Sequence, residues 1–275
     1  MQRSLCLLAL VLVPVTAVAQ GVVIAPHAIH IDARTRSGTL ELYNPANDPV
    51  EIEISTLFGY PVTDSTGVIT LLIEPDPDST AHSAADWITA FPRRMILEPR
   101  ARQTVRLLAR PPAGLEDGEY WTRLVVAARG GVVPVSGAEG AEGLNVGLTL
   151  QVRTIIALTY RNGRVHTGIS SNNLRANQEA DTLAIRVDLA RQGNAAFIGT
   201  LRWSLVDDTG ATLVQSELPI AVYHQMSPRR VLPLDDVAPG RYRLIVELTS
   251  ERSDIPPDVV LPIVPVADTV VVQLR

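Results

Sequence analysis

The 275-residue sequence has no lysine, a single cysteine and few aromatic side chains. All 24 basic residues are arginine, so Schiff-base and other lysine chemistry is excluded. The one thiol, Cys6, lies inside an N-terminal apolar run. Once that run is removed, no disulfide, zinc–thiolate site or cysteine nucleophile can form. A basic surplus is missing as well: the net charge is −5, and −6 without Arg3, which argues against nucleic acid as a partner. Beyond the N-terminus no apolar run approaches the roughly 20 residues that a spanning helix needs, so the mature chain is expected to be soluble, without a membrane span.

Chemical motifs are absent too. There is no G-x-S-x-G elbow, H-E-x-x-H, phosphate-binding glycine loop or dinucleotide fingerprint, and no carboxylate pair is singled out. His27 and His30 in "HAIH" would share a helical face, but in a strand they point to opposite faces and do not make a metal site. His82, His166 and His224 are scattered and read as surface residues. "EPDPDS" (74–79) clusters oxygen ligands but lacks the spacing and glycine of a calcium loop, and reads as a solvated turn. The expectation is a protein that is not an enzyme, with no catalytic residue, no cofactor and no metal. Trp87, Trp121 and Trp203 lie within or beside apolar runs and are expected in cores.

What is present begins with a secretory signal over residues 1–19: Arg3 as a positive start, "LCLLALVLVPV" as an apolar core, and "AVA" before Gln20 as a cleavage site. The mature chain is expected outside the cytoplasm, in the periplasm. From there the dominant pattern is period-two alternation broken by turn residues. "GTLELYN", "PVEIEIST", "GVITLLIE", "QTVRLLAR", "EYWTRLVVAA" and "LNVGLTLQV" are strand-length runs separated by "NPANDP", "TDSTG", "EPDPDS" and "LEDG". Only "SAADWITA" (83–90) is compatible with a helical turn, and "RGGVVPVSGAEGAEG" (129–143) reads as one long loop. After "YRNG" (160–163) a second series follows: "DTLAIRVDLAR", "FIGTLRWSLVD", "TLVQSELPIAVY", "RRVLPL", "GRYRLIVELTS" and "DTVVVQL", with "DDTG" (207–210) as a hairpin turn. The prediction is all-β: two tandem β-sandwiches, residues 20–161 and 162–275.

One stretch raises the functional question. "LNVGLTLQVR" (144–153) places Leu144, Val146, Leu148, Leu150 and Val152 on one face of an extended chain. A strand of an ordinary sandwich alternates in the same way, so either the protein's own core or another chain can cover that face.

The first half resembles a known family. "TLELYNPANDPVEIEI", then "WITAFPRRMILEPRARQTVRLLARPPAGLEDGEYWTRLVV", then "LTLQVRTIIALTYRNG" follow, in order, the N-terminal domain of the periplasmic pilus-assembly chaperones of the PapD-like type, over residues 22–161. The resemblance implies two immunoglobulin-like domains in an L-shape and a strand-donor role for Leu144, Val146, Leu148, Leu150 and Val152, whose side chains would fill the groove of an incomplete pilus-type or secreted subunit. An outer-membrane usher is a further partner to consider, and a free edge also admits a self-capping dimer. The family's two basic anchors for the subunit's carboxyl terminus fall here at Ala28 and Ala157, which cannot pair with a carboxylate; Arg34, Arg36, Arg153 and Arg161 are the nearby arginines. The expectation is therefore a divergent chaperone-like protein. Its rival is a structural or adhesive immunoglobulin-like module whose last strands are wholly internal.

Overall fold

The computed structural model describes residues 21–73, 82–134 and 147–275. Its first half contains β1 (Val23–Ala25), β2 (Ala28–Asp32), β3 (Ser37–Tyr43), β4 (Val50–Leu57), β5 (Gly59–Thr63), β6 (Ile69–Ile73), β7 (Ile88–Phe91), β8 (Arg94–Leu97), β9 (Arg102–Ala109), β10 (Gly118–Pro134) and β11 (Gly147–Asn162). Its second half contains β12 (Thr167–Glu179), β13 (Thr182–Gly193), β14 (Phe197–Val206), β15 (Thr212–Val222), β16 (Gln225–Met226), β17 (Arg229–Pro233), β18 (Gly240–Thr249) and β19 (Val266–Leu274). The result is two tandem immunoglobulin-like β-sandwiches. In the first, the sheet β1-β3-β9-β7 faces the sheet β2-β11-β10-β4-β8; in the second, β12-β13-β16, with β17 also on β13, faces β15-β14-β18-β19.

The alternation in the sequence produces this layering directly. In β4, Val50, Ile52 and Ile54 point inward while Glu51 faces solvent. They meet Leu40, Leu42, Val105 and Leu107 from the opposite sheet, with Leu124, Val126, Ile156 and Leu158 completing the first core. Trp203 is fully buried in the second core, Trp121 at the junction between the sandwiches, and Trp87 packs against the first core, as expected for all three. Turn chemistry fixes the register. The buried Asn44 amide donates to the carbonyls of Asp48 (2.8 Å) and Leu97 (3.0 Å), and its oxygen accepts from Ala46 N, which folds "NPANDP" against β8. Asp207 Oδ1 accepts from Ala211 N at 2.8 Å and closes the "DDTG" hairpin.

Three local expectations are corrected. Residues 83–90 do not form a helical turn: Ser83 bridges to Trp121, residues 85–87 turn, and Ile88 and Ala90 alternate into the core from β7. Their apolar spacing is that of a strand entering the sheet. Residues 129–134 are not loop but the continuation of β10, which stays paired with β11 across a bulge between Arg129 and Val132. His27 precedes β2 rather than sharing it with His30. The "EPDPDS" turn and the signal segment lie outside the described residues.

The β5–β6 hairpin straps the two sandwiches together. Thr63 Oγ1 accepts from Ser227 N (2.8 Å), Ser65 O from Arg186 Nη2 (2.9 Å), and Gly67 O from Arg229 N (3.0 Å). Gly67 has φ +86°, and a Cβ there would lie 2.6 Å from Arg229 Cβ and 2.8 Å from Arg229 N. Gly67→Ala is expected to cost about 1–3 kcal/mol through the positive φ and the clash, read as a lower urea midpoint with secondary structure retained.

A buried polar knot at the junction does the rest. Glu119, fully buried, accepts from Arg161 Nε (2.8 Å), Trp121 Nε1 (2.8 Å) and, from the second sandwich, Ala196 N (3.2 Å). Arg161 Nη1 donates to Asp258 O (2.9 Å) and Nη2 to Val259 O, both in the second half. Around the knot, Ala28, Phe58, Ala85 and Trp121 pack on Ala196, Ile198, Tyr223 and Val259.

Candidate functional site

Strand β11 changes character along its length. Its C-terminal half carries Ile156, Leu158 and Tyr160 into the core, all at most 1% exposed. Leu150 and Val152 continue the same face by strand parity but are 46% and 38% exposed, because the face runs past the core. On the opposite face Ile155 is 45% exposed. Leu144 and Val146 lie outside the described residues, and so does the side chain of Leu148, whose backbone pairs with Val133.

The edges differ as well. One edge of β11 pairs antiparallel with β10 from Gly147 to Asn162. The other pairs in parallel with β2, but only from Ala157 to Arg161. Among the described residues, the backbone of 147–156 therefore presents an edge to which no strand is bonded. An edge of about ten residues with alternate apolar side chains is a template for another strand.

The two positions that the resemblance assigns to basic anchors are adjacent: Ala28 pairs with Ala157 at the start of the parallel ladder. Ala157 pairs on its other side with Arg123. The row across the sheet therefore reads Ala28, Ala157, Arg123, with one guanidinium displaced one strand inward. Arg123 is 6% exposed; its Nε donates to Gly59 O (2.8 Å), its guanidinium carbon lies 5.1 Å from the Tyr223 ring centroid, and its Nη2 is buried without a hydrogen-bond partner. None of the nearby arginines occupies this place. Arg34 and Arg36 are exposed in the turn after β2, Arg153 is exposed two rows along β11, and Arg161 is engaged by Glu119 and the second sandwich.

Arg123 was missed because its position follows from register rather than spacing. The one signal in the sequence was a charge interrupting the apolar run "EYWTRLVVAA". The same sheet face holds two more buried polar atoms without partners, His30 Nδ1 and Thr159 Oγ1, on residues that pair across β2 and β11.

The reading of His82 and His224 as surface residues is corrected in part. The half-buried His82 ring stacks on Trp121 with centroids 4.6 Å apart, and its Nδ1 lies 3.0 Å from Glu119 O. His224 is exposed, yet its ring lies edge-on to Tyr60 at 4.8 Å and 6.2 Å from His82. Their separation in sequence hid that both lie at the junction. Among the described residues no three His, Cys, Asp or Glu side chains are grouped to hold a metal, and no helix is long and apolar enough to cross a membrane.

No family model matches the sequence, and no curated protein matches it. Among solved structures, the chain is similar to one of Salmonella enterica SafA pilin in complex with the SafB chaperone, at 15% identity over 91% of this chain and 96% of that one, with a TM-score of 0.41. It is also similar to the Pseudomonas aeruginosa CupB2 chaperone, at 11% identity over 92% and 100% of the two chains, with a TM-score of 0.42. A third similarity is to the CsuC–CsuE chaperone–tip subunit pre-assembly complex of Acinetobacter baumannii, at 12% identity over 91% and 97%, with a TM-score of 0.42.

Proposed function

We propose that this chain is a divergent member of the PapD-like family: a non-catalytic, periplasmic chaperone-like protein that binds pilus-type or secreted subunits by β-strand complementation. The observation that carries the reading is the edge of β11 at 147–156 to which no strand is bonded among the described residues, with Leu150 and Val152 exposed on the face that continues the core. A client lacking a strand would bond its backbone to that edge and receive alternate side chains in its open groove. Leu144, Val146 and Leu148 continue the same parity and would extend the donated run. Burying one Leu or Val side chain completely contributes about 1.5–3 kcal/mol, so several aligned residues suffice for stable capture without ATP.

Within this reading, Arg123 takes over the carboxylate-binding role that the alanines at 28 and 157 cannot fill. Its buried Nη2 lacks an acceptor, and a client carboxylate reaching the row would supply one. An outer-membrane usher and a dimer capped edge to edge are compatible further partners. The adhesive-module reading needs both edges of the strand to be paired, which does not fit the described pairing at 147–152.

Amide hydrogen exchange tests the proposal in the free protein. Alternate amides of 147–156, those directed away from β10, should exchange quickly, while those of Ala157–Arg161 should be protected. Uniform slow exchange along the whole of β11 would favour the internal-strand rival.

A further inference from the structure

Two histidines flank the ion pair that joins the sandwiches. His30, on β2, lies beside Arg161, and the 3-10 turn Pro257–Val259 of the second half packs against the same strand. Its Nδ1 is buried and unpartnered, so a proton placed there would find no acceptor. His82 Nδ1 faces the main-chain oxygen of Glu119, an acceptor only, so this nitrogen carries the hydrogen in the neutral ring. A second proton on His82 must go to Nε2, in a neighbourhood that contains Arg191 and His224.

The charges facing these rings are already committed. Around His30 stand Arg161, Asp258, Glu119 and Asp32; around His82 stand Arg191, Glu119 and His224. Glu119 already accepts from three donors. Asp32 accepts from Arg34 N, Thr35 N and Thr35 Oγ1 in its own turn. Arg191 lies over the Trp121 ring at 5.7 Å, the ring on which His82 stacks. Around His30, Asp258 is the one carboxylate with no side-chain hydrogen bond among the described residues, and it faces Arg161 as well as the new imidazolium. The groups around His82 include no such carboxylate.

We propose that the junction between the two sandwiches is an acid-sensitive hinge, in which protonation of His30 and His82 breaks the packing around Glu119 and Arg161 and frees the second sandwich to swing. The direction of titration agrees. Burial, followed by Arg161 for His30, holds that ring below the ordinary histidine value of 6.5; burial, partly offset by the Glu119 contact, does the same for His82. An opened junction exposes both rings and restores their ordinary affinity for protons, so the closed form is fully favoured above pH 6.5 and loses ground as pH falls below it. The device acts on domain geometry and does not depend on which client, if any, occupies β11.

The sequence makes the test simple. With Cys6, the sole cysteine, replaced by serine, spin labels can be placed at Thr104→Cys and Thr269→Cys, both exposed and on different sandwiches. The distance distribution between them is expected to be narrow at pH 8 and to broaden and shift as pH falls from 6.5 to 5. In the His30→Gln, His82→Gln double variant, whose amides do not titrate and can still donate to Glu119 O, it should stay narrow. Circular dichroism at both pH values reports that each sandwich remains folded. If the double variant does not fold, each single substitution should reduce the shift. An invariant distribution in the unsubstituted protein, or equal broadening in the histidine variants, overturns the hinge.

Discussion

Glu119→Ala is expected to lower the unfolding free energy by about 3–5 kcal/mol, the cost of breaking a buried ion pair by removing one partner. The loss is large because Glu119 is not simply paired. Its removal leaves Arg161 Nε, the Trp121 indole N–H and the Ala196 amide without their acceptor and the buried Arg161 charge without its carboxylate, beside Tyr223 and Val259. Glu119→Gln keeps an acceptor and should cost less, roughly 1–3 kcal/mol. Replacing both charges, as in Glu119→Leu with Arg161→Met, should recover much of the alanine loss, because no uncompensated charge stays buried. Urea unfolding followed by tryptophan emission measures all three, since Trp121 reports the junction itself. A Glu119→Ala midpoint equal to that of the unsubstituted protein would show that the knot does not hold the sandwiches together.

How much of this was legible in the sequence depends on which interaction fixes each feature. The strands of the two cores could be read because period-two alternation with Val, Ile and Leu is the direct imprint of a half-buried sheet, as in "VEIEI" of β4. Strand β12 was not, because "TGISSNNLRANQE" is polar and bends at Asn173, φ +52°, where a register shift falls between Asn172 and Arg175. Its pairing with β13 decides its state, and pairing leaves little trace in a polar edge strand.

The site divides along the same line. Alternation from Leu144 to Val152 predicts a strand, which the structure describes from Gly147, but it is silent on whether the second edge is filled, since buried and donated strands alternate alike. Among the described residues, the limit of the β2 pairing, at Ala157, separates the unpaired edge from the covered one. Arg123 and Ala157 are 34 positions apart, and His82 and His224 are 142 apart; both associations come from topology. The loss of charge at Ala28 and Ala157 was visible in the sequence, whereas the guanidinium one strand away was not.

The second large effect concerns β11. Leu150→Asp and Val152→Asp are expected to leave folding within about 0.5 kcal/mol of the unsubstituted chain, because both side chains are already substantially exposed. For capture the same changes are severe. Each removes about 1.5–3 kcal/mol of apolar burial and forces an unpaired carboxylate into an apolar groove at a further cost of several kcal/mol. At about 1.4 kcal/mol per factor of ten, affinity should fall by about a hundredfold or more. A wholly internal strand predicts the reverse, a loss of stability with any binding through loops untouched.

The measurement that meets the central claim most directly is a tagged pull-down from the periplasm of the native host, with mass spectrometry of whatever co-elutes in one-to-one amounts, performed on the unsubstituted protein and on Leu150→Asp side by side. The account predicts a small β-rich subunit with the first and none with the second, both proteins being folded. Equal capture by Leu150→Asp, or no stoichiometric partner for the unsubstituted protein, would contradict strand donation through β11.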